Sequence, residues 1–138
     1  MPSSIAIIGS RDYPALSHVT KFVMLLPIDS IVVSGGARGP DKIGETTAIK
    51  RGLKTEIYLS DWDKFGKAAG MIRNSLIVKN SDWIVAFWDG LSRGTLNSIE
   101  TAKSLNLPIT IFNSGDDSIS HFNNAESLFD SILNKKTK

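Results

Sequence analysis

The sequence predicts a three-layer α/β/α sandwich built on a five-stranded, mostly parallel sheet. Three observations carry that expectation. Apolar blocks of strand length alternate with longer stretches of helical spacing along the 138 residues. The blocks are continuous apolar runs rather than alternating ones, as in strands buried on both faces. Each block stops at small or polar residues, several of them glycine, which turn the chain out of a sheet.

The first strand is Ile5-Ala6-Ile7-Ile8, closed by Gly9-Ser10, and a helix follows on Val19, Val23 and Leu26. Ile31-Val32-Val33 is the second strand and stops at Ser34-Gly35-Gly36. Its helix opens at Gly39-Pro40-Asp41, where Pro40 suits a first helical position, and carries Ile43, Thr47 and Ile49 to a Gly52 cap. Glu56-Ile57-Tyr58-Leu59 is the third strand, followed by a helix whose apolar stripe reads Ile72, Leu76 and Lys79. Residues 83–88, Trp83 to Trp88, form the fourth, followed by a helix on Leu96, Ile99, Ala102 and Leu105. Residues 108–112 form the fifth. Asn113–Asn124 reads as a polar loop, and Phe122, Leu128, Phe129, Ile132 and Leu133 outline a last helix at about 122–135. Strictly alternating strands and helices with right-handed crossovers give a Rossmann-like domain spanning residues 1–138.

Composition narrows the function. Hydrophobic residues make up 41% and charged residues 22%, so a core forms without staples, and the absence of cysteine removes thiol chemistry and disulfides. The net charge is +2, but Lys135, Lys136 and Lys138 sit in the last four residues, and the remaining body carries −1. Nucleic acid is therefore not expected as a partner. Met1-Pro2-Ser3-Ser4 leads straight into the first strand without a signal-peptide pattern, and no apolar run is long enough for a membrane span. A cytoplasmic protein is expected. No His, Asp or Glu spacing resembles a metal site, no serine is framed as G-x-S-x-G, and no cofactor is expected.

The unusual residues lie where strands end, which is where open parallel sheets bind ligands. The first such loop, Gly9-Ser10-Arg11-Asp12, offers a sharp turn and donors for an anion. The second, Ser34-Gly35-Gly36-Ala37-Arg38-Gly39-Pro40-Asp41, runs into a helix N-terminus, whose free N–H groups and dipole favour phosphate. It is neither G-x-G-x-x-G nor a Walker loop. Asp41 and Glu45 are four apart and share a helix face, suited to ribose hydroxyls, although Asp41 equally suits a helix start. The third loop, Asp89-Gly90-Leu91-Ser92-Arg93-Gly94-Thr95, holds Ser92, Gly94 and Thr95 for an anion nest, with Trp88 as a wall. Arg73 and Asn74 interrupt an apolar helix, and the guanidinium suits a phosphate or a structural ion pair. Trp62 either stacks on a base or pins its loop, with pinning favoured. His18 and His121 carry no motif.

Together these segments resemble the YspA/YpsA-related branch of the SLOG superfamily. The resemblance rests on Gly9-Ser10-Arg11, Ser34-Gly35-Gly36-Ala37-Arg38-Gly39-x-Asp41, Glu45 and Asp61-Trp62. It continues through Gly66-Lys67-Ala68-Ala69-Gly70-x-x-Arg73-Asn74 and Phe87-Trp88-Asp89-Gly90-x-Ser92-x-Gly94-Thr95. It covers about residues 4–112, leaving the last helix outside. The superfamily includes the LOG phosphoribohydrolases, the DNA-processing protein DprA, and domains that sense or process nucleotide signals in bacterial and phage conflict. The resemblance implies a Rossmann-like fold, a nucleotide or nucleotide-derived ligand at these loops, and a homodimer.

One departure bears on catalysis. LOG enzymes carry P-G-G-x-G-T-x-x-E, whose glutamate serves cleavage of the N-glycosidic bond. The comparable stretch here is Gly94-Thr95-Leu96-Asn97-Ser98, with Ser98 in the glutamate's place. Glu100 lies two residues on, about 200° around a helix. An oxocarbenium-like transition state needs a carboxylate, and Asp12, Asp41, Glu45 and Asp89 remain as candidates. Binding without cleavage is therefore the leading expectation, as a sensor, carrier or sequestering protein. Cleavage of a nucleotide with Asp89, Glu45 or Asp41 stabilising the ribosyl cation is the alternative.

Overall fold

A computed structural model describes the backbone of residues 3–137 and the side chains of residues 3–133. Met1, Pro2 and the side chains of Lys135, Lys136 and Lys138, whose charges were set apart from the body's, lie outside that description.

Six strands form one sheet: β1 (Ser4–Gly9), β2 (Ile31–Ser34), β3 (Lys54–Ile57), β4 (Trp83–Trp88), β5 (Ile109–Asn113) and β6 (Ser118–Phe122). Between and after them run α1 (Leu16–Leu25), α2 (Pro40–Arg51), the short α3 (Trp62–Phe65), a 3₁₀ turn at Gly66–Ala68, α4 (Ala69–Lys79), α5 (Arg93–Ser104) and α6 (Ala125–Thr137). The strand order is β3-β2-β1-β4-β5-β6. The chain moves outward from β1 to β3, then crosses back to lay β4 on the other side of β1. All pairings are parallel except β5–β6.

Alternate strand residues feed two cores, as a period of two requires. Ile5, Ile7, Val32, Val85 and Phe87 face α1, α2 and α6, whereas Ala6, Ile8, Val33, Ile84, Ala86 and Ile109 face α4 and α5. Both faces of the central strands are covered, which is why their sequences read as unbroken apolar runs. The Rossmann-like three-layer sandwich is thus the observed fold, with six strands in place of five.

The additional strand lies inside the segment expected to be a loop. Its Ser118-Ile119-Ser120-His121-Phe122 lacks an apolar run because an edge strand pairs on one side only. Asp117 (φ 57°) turns the hairpin, and Asp116 Oδ1 accepts the Ser118 N–H at 3.0 Å. Phe122, expected in the last helix, belongs to this strand, and α6 begins at Ala125 rather than near 122; further expectations shift as well. β3 begins two residues earlier than the apolar block suggested, leaving Tyr58 and Leu59 beyond the strand. The buried residues of α4 are Ala69, Ile77 and Val78, whereas Leu76 of the expected stripe is exposed. The helix begins at a 3₁₀ turn, so its inward face is set by where that turn delivers it.

Close approach at the sheet's carboxyl edge explains Gly9. A Cβ there would stand 2.5 Å from the Phe87 carbonyl oxygen and 2.6 Å from Pro40 Cγ. Neither neighbour can swing aside, since one is strand backbone and the other a ring at the start of α2. Gly9→Ala is expected to cost about 2 kcal/mol, a melting-temperature fall of about 4–8 °C in a domain of this size. Thermal denaturation followed by circular dichroism checks this. An unchanged midpoint would mean that β1 and α2 separate freely.

Candidate functional site

The chain reverses its direction of progress across the sheet between β1 and β4, which opens a crevice beyond their carboxyl ends. A cavity of about 480 Å³ lies there, lined by the loops after β1, β2 and β4 and by α4 and α5.

Its floor is a set of small hydroxyls. The Ser10 N–H donates to the Phe87 carbonyl at 3.0 Å, and Ser10 Oγ accepts the Asp89 N–H at 3.1 Å. Ser10 Oγ also lies 3.4 Å from Thr95 Oγ1, which donates to Ser92 Oγ at 3.2 Å. Ser92 caps α5 by accepting the Thr95 N–H. These short side chains tie β1, β4 and the start of α5 together beneath the opening. Ser10 is fully buried, so it supports the floor from below.

Asp89 stands at the end of β4. Its Oδ1 accepts the N–H groups of Leu91 (2.8 Å) and Ser92 (2.9 Å), which shapes the turn where Gly90 takes φ 81°. Burial works to raise its pKa, but those two N–H groups and the Ser10 hydroxyl outweigh it and hold the carboxyl below its usual range. Trp88 is half-buried, its indole N–H donating to the Ser92 carbonyl at 3.1 Å.

The loop after β2 is fixed from both sides of Gly35. Its N–H donates to Asp41 Oδ2 at 3.1 Å, and its carbonyl accepts Arg73 Nη1 at 2.8 Å. Arg73 Nε donates to Asn74 Oδ1 at 2.9 Å. A Cβ on Gly35 would collide with the guanidinium, so the missing side chain is the space that Arg73 occupies. Ser34 Oγ donates to the Asp41 carbonyl and accepts the Gly36 N–H, both at 3.1 Å. Gly36 (φ 71°) and Gly39 (φ 87°) then bend the chain into α2.

Asp41 in the first turn of α2 is buried, and that desolvation pushes its carboxyl up to about 6. The Gly35 N–H and the Arg73 charge oppose the shift without cancelling it. Glu45, one turn on, is elsewhere. One oxygen lies 3.6 Å from Lys42 Nζ, while the other is buried with no hydrogen-bond partner among the described residues.

The cavity thus gathers Gly9, Arg11, Asp41, Arg73, Asn74, Asp89, Ser92, Gly94 and Thr95 from the residues singled out in the sequence. Ser10, Ser34, Gly35, Gly36, Gly39, Trp88 and Gly90 shape the loops around it. Arg38 is exposed beside it, and Glu45 does not line it. Asp12 also lines it, as do Ile8, Ala37, Leu91 and Ser98, none of which was assigned a ligand contact from the sequence. Ser98 is buried and donates to the Gly94 carbonyl at 3.3 Å, whereas Glu100 is exposed, as 200° of helix rotation requires. The position that carries a glutamate in LOG enzymes therefore faces this cavity with a hydroxyl.

Fold and cavity together define a Rossmann-like protein with an open crevice where the strand order reverses. No family model matches the sequence. The chain is 35% identical over 92 residues to the Gene 61 protein of Mycobacterium phage D29, a stretch covering 62% of this chain and 74% of that protein. It belongs to the family of that phage protein. Among solved structures, DNA processing protein A (DprA) of Streptococcus pneumoniae superposes with a TM-score of 0.69 at 20% identity, over 80% of this chain and 50% of that one. DNA processing protein A of Helicobacter pylori gives 0.66 at 22%, over 80% and 65%. The chain spans one half to just under two thirds of those proteins, and the likeness is one of fold, the Rossmann-like fold expected of the SLOG superfamily.

One expectation is corrected by that comparison. The body's net charge made nucleic acid an unexpected partner, yet the Helicobacter pylori structure with this fold describes a single-stranded DNA binding mode. Net charge averages over the whole surface, whereas a strand-end site responds to local cations. Here Arg11 and Arg73 line the cavity and the exposed Arg38 and Arg93 lie on its loops. Among the described residues no helix is long and apolar enough to cross a membrane.

Proposed function

We propose that the cavity binds a nucleotide or nucleotide-derived ligand by its phosphate, and that the protein works as a sensor, carrier or sequestering protein for it. The observation that carries this reading is convergence. The first turns of α2 and α5 and the Arg73 guanidinium meet in one cavity at the strand-order reversal. Helix N-termini supply unpaired N–H groups and a favourable dipole, and arginine supplies a fork matched to phosphate oxygens. The resemblance of the sequence motifs to the YspA/YpsA-related branch supports this reading. Native mass spectrometry of the purified protein, then calorimetry with the common nucleoside 5′-monophosphates, dinucleotides and a short single-stranded oligonucleotide, tests it. Saturable one-site binding of a mononucleotide or dinucleotide is expected. Failure of every nucleotide to bind would overturn the reading.

Asp89 favours a second reading, cleavage of the N-glycosidic bond. It lines the cavity as an anion, as stabilisation of a ribosyl cation requires. Chromatography for free base after incubation with the same panel separates the readings. Binding without base release excludes cleavage of those compounds.

A further inference from the structure

We infer that Trp62 is the base platform of this site, so that the ligand's nucleobase stacks on the exposed indole while its phosphate lies against Arg73. This rests on the nucleotide-binding reading.

The segment carrying Trp62 has no core of its own. Neither α3 nor the 3₁₀ turn after it buries a side chain, and Trp62 is 59% exposed. A ring with no task but pinning its loop would be largely covered, whereas this one leaves more than half of its surface open. Its polar end is also unused. Trp83 and Trp88 donate their indole N–H groups to Thr110 and Ser92, whereas the Trp62 N–H has no partner among the described residues. Phe65, the other aromatic of the segment, is engaged by Lys64, whose Nζ lies 5.1 Å from its ring centre.

Trp62 stands outside the cavity wall and is related to the anion site through α4. Trp62 Cη2 lies 3.7 Å from where a Cβ of Gly70 would stand, so the indole runs beside the first turn of α4. Arg73 is three residues on, on the same helix face, about 4.5 Å further along the axis. Helical side chains lean toward the N-terminus, which carries the guanidinium back toward the turn that the indole flanks. One helical turn is about the span a ribose ring bridges between a 5′-phosphate and its base. Leu59, 73% exposed, lies against the loop after β2, its Cδ2 3.0 Å from where a Cβ of Gly36 would stand. Lys64 and Lys67 add positive charge to the segment that carries the indole. An exposed aromatic beside an arginine-lined anion pocket is the arrangement by which proteins hold a base without reading its edges.

The test compares adenosine 5′-monophosphate with ribose 5-phosphate, which lacks the base, in calorimetry on the wild type, Trp62→Ala, Trp62→Phe and Arg73→Ala. Trp62→Ala is expected to weaken nucleotide binding about 5- to 30-fold and to leave ribose 5-phosphate unchanged. Trp62→Phe should keep most of the nucleotide affinity, and Arg73→Ala should weaken both ligands. Equal nucleotide affinity in Trp62→Ala, with Arg73→Ala still impaired, overturns the platform and leaves the nucleotide-binding reading standing. Absence of nucleotide binding in the wild type overturns both. A wild-type dimer that dissociates in Trp62→Ala at unchanged nucleotide affinity assigns the ring to an interface between copies, and also overturns the platform.

Discussion

Between pH 3 and pH 7 the wild type is expected to lose about 3 kcal/mol of folding stability relative to Asp41→Asn. The cause is the burial of Asp41 beneath the cavity, which pushes its carboxyl from 3.8 up to about 6 in the folded protein. A group with a raised folded pKa binds its proton more tightly folded than unfolded. Its stabilising contribution is complete below the unfolded value of 3.8 and disappears as the pH rises through 6. Asparagine keeps an oxygen to accept the Gly35 N–H but cannot ionise, so the variant lacks this slope. Denaturant titrations of both proteins at several pH values across that interval check it, and parallel stability curves would mean that the carboxylate is solvated in the native state. The same coupling acts on ligands. An anion in the cavity disfavours ionised Asp41, so anion binding should draw a proton to that carboxyl near pH 6. Calorimetry in two buffers of different ionisation enthalpy should show this uptake in the wild type, and less of it in Asp41→Asn.

The parts legible in the sequence were those where one physical cause dominates. Continuous apolar runs fixed the central strands β1 and β4, because burial on both faces leaves little room for polar residues there, whereas the polar edge strand β3 was placed only in part. The three strand-end loops were legible because glycine at positive φ and small capping hydroxyls are demanded by local backbone geometry, as at Gly36, Gly39 and Ser92. What escaped depends on packing between distant segments. β6 is polar and gains its stability from pairing with β5 and from contacts such as His121 Nδ1 with Thr110 Oγ1 at 2.9 Å. No periodicity announces that. Ser98 and Leu91 reach the cavity only because of how α5 and its preceding turn are aimed. The separation of Asp41 from Glu45 was hidden for a similar reason. Four residues on a helix share a face, but a cavity at the helix start admits only the first turn, and Glu45 Oε2 lies by Gly36 instead, 3.9 Å from where a Cβ would stand. The expectation against nucleic acid failed because it used a sum of charges where the relevant quantity is their placement.

Arg73→Ala is expected to weaken nucleotide binding by about 1.5–3 kcal/mol, roughly 10- to 150-fold in Kd. A guanidinium carries five N–H donors. Arg73 spends one on Asn74 and one on the Gly35 carbonyl, which fixes the plane of the fork and leaves three for an anion. The loss should therefore come with little change in fold, because the two bonds given up lie at a partly exposed cavity wall. Gly35→Ala separates the two roles of that contact. A methyl at residue 35 occupies the space of the guanidinium, the flexible side chain moves out, and binding should fall although Arg73 is still present. Arg73→Lys should recover part of the affinity, since it restores the charge without the two-pronged geometry. Calorimetry on the three variants orders them as wild type, then Lys, then Ala, with Gly35→Ala near Arg73→Ala. Unchanged affinity in Arg73→Ala would remove the residue from the site. An intact Gly35→Ala would show instead that the guanidinium reaches the ligand without the loop that now holds it.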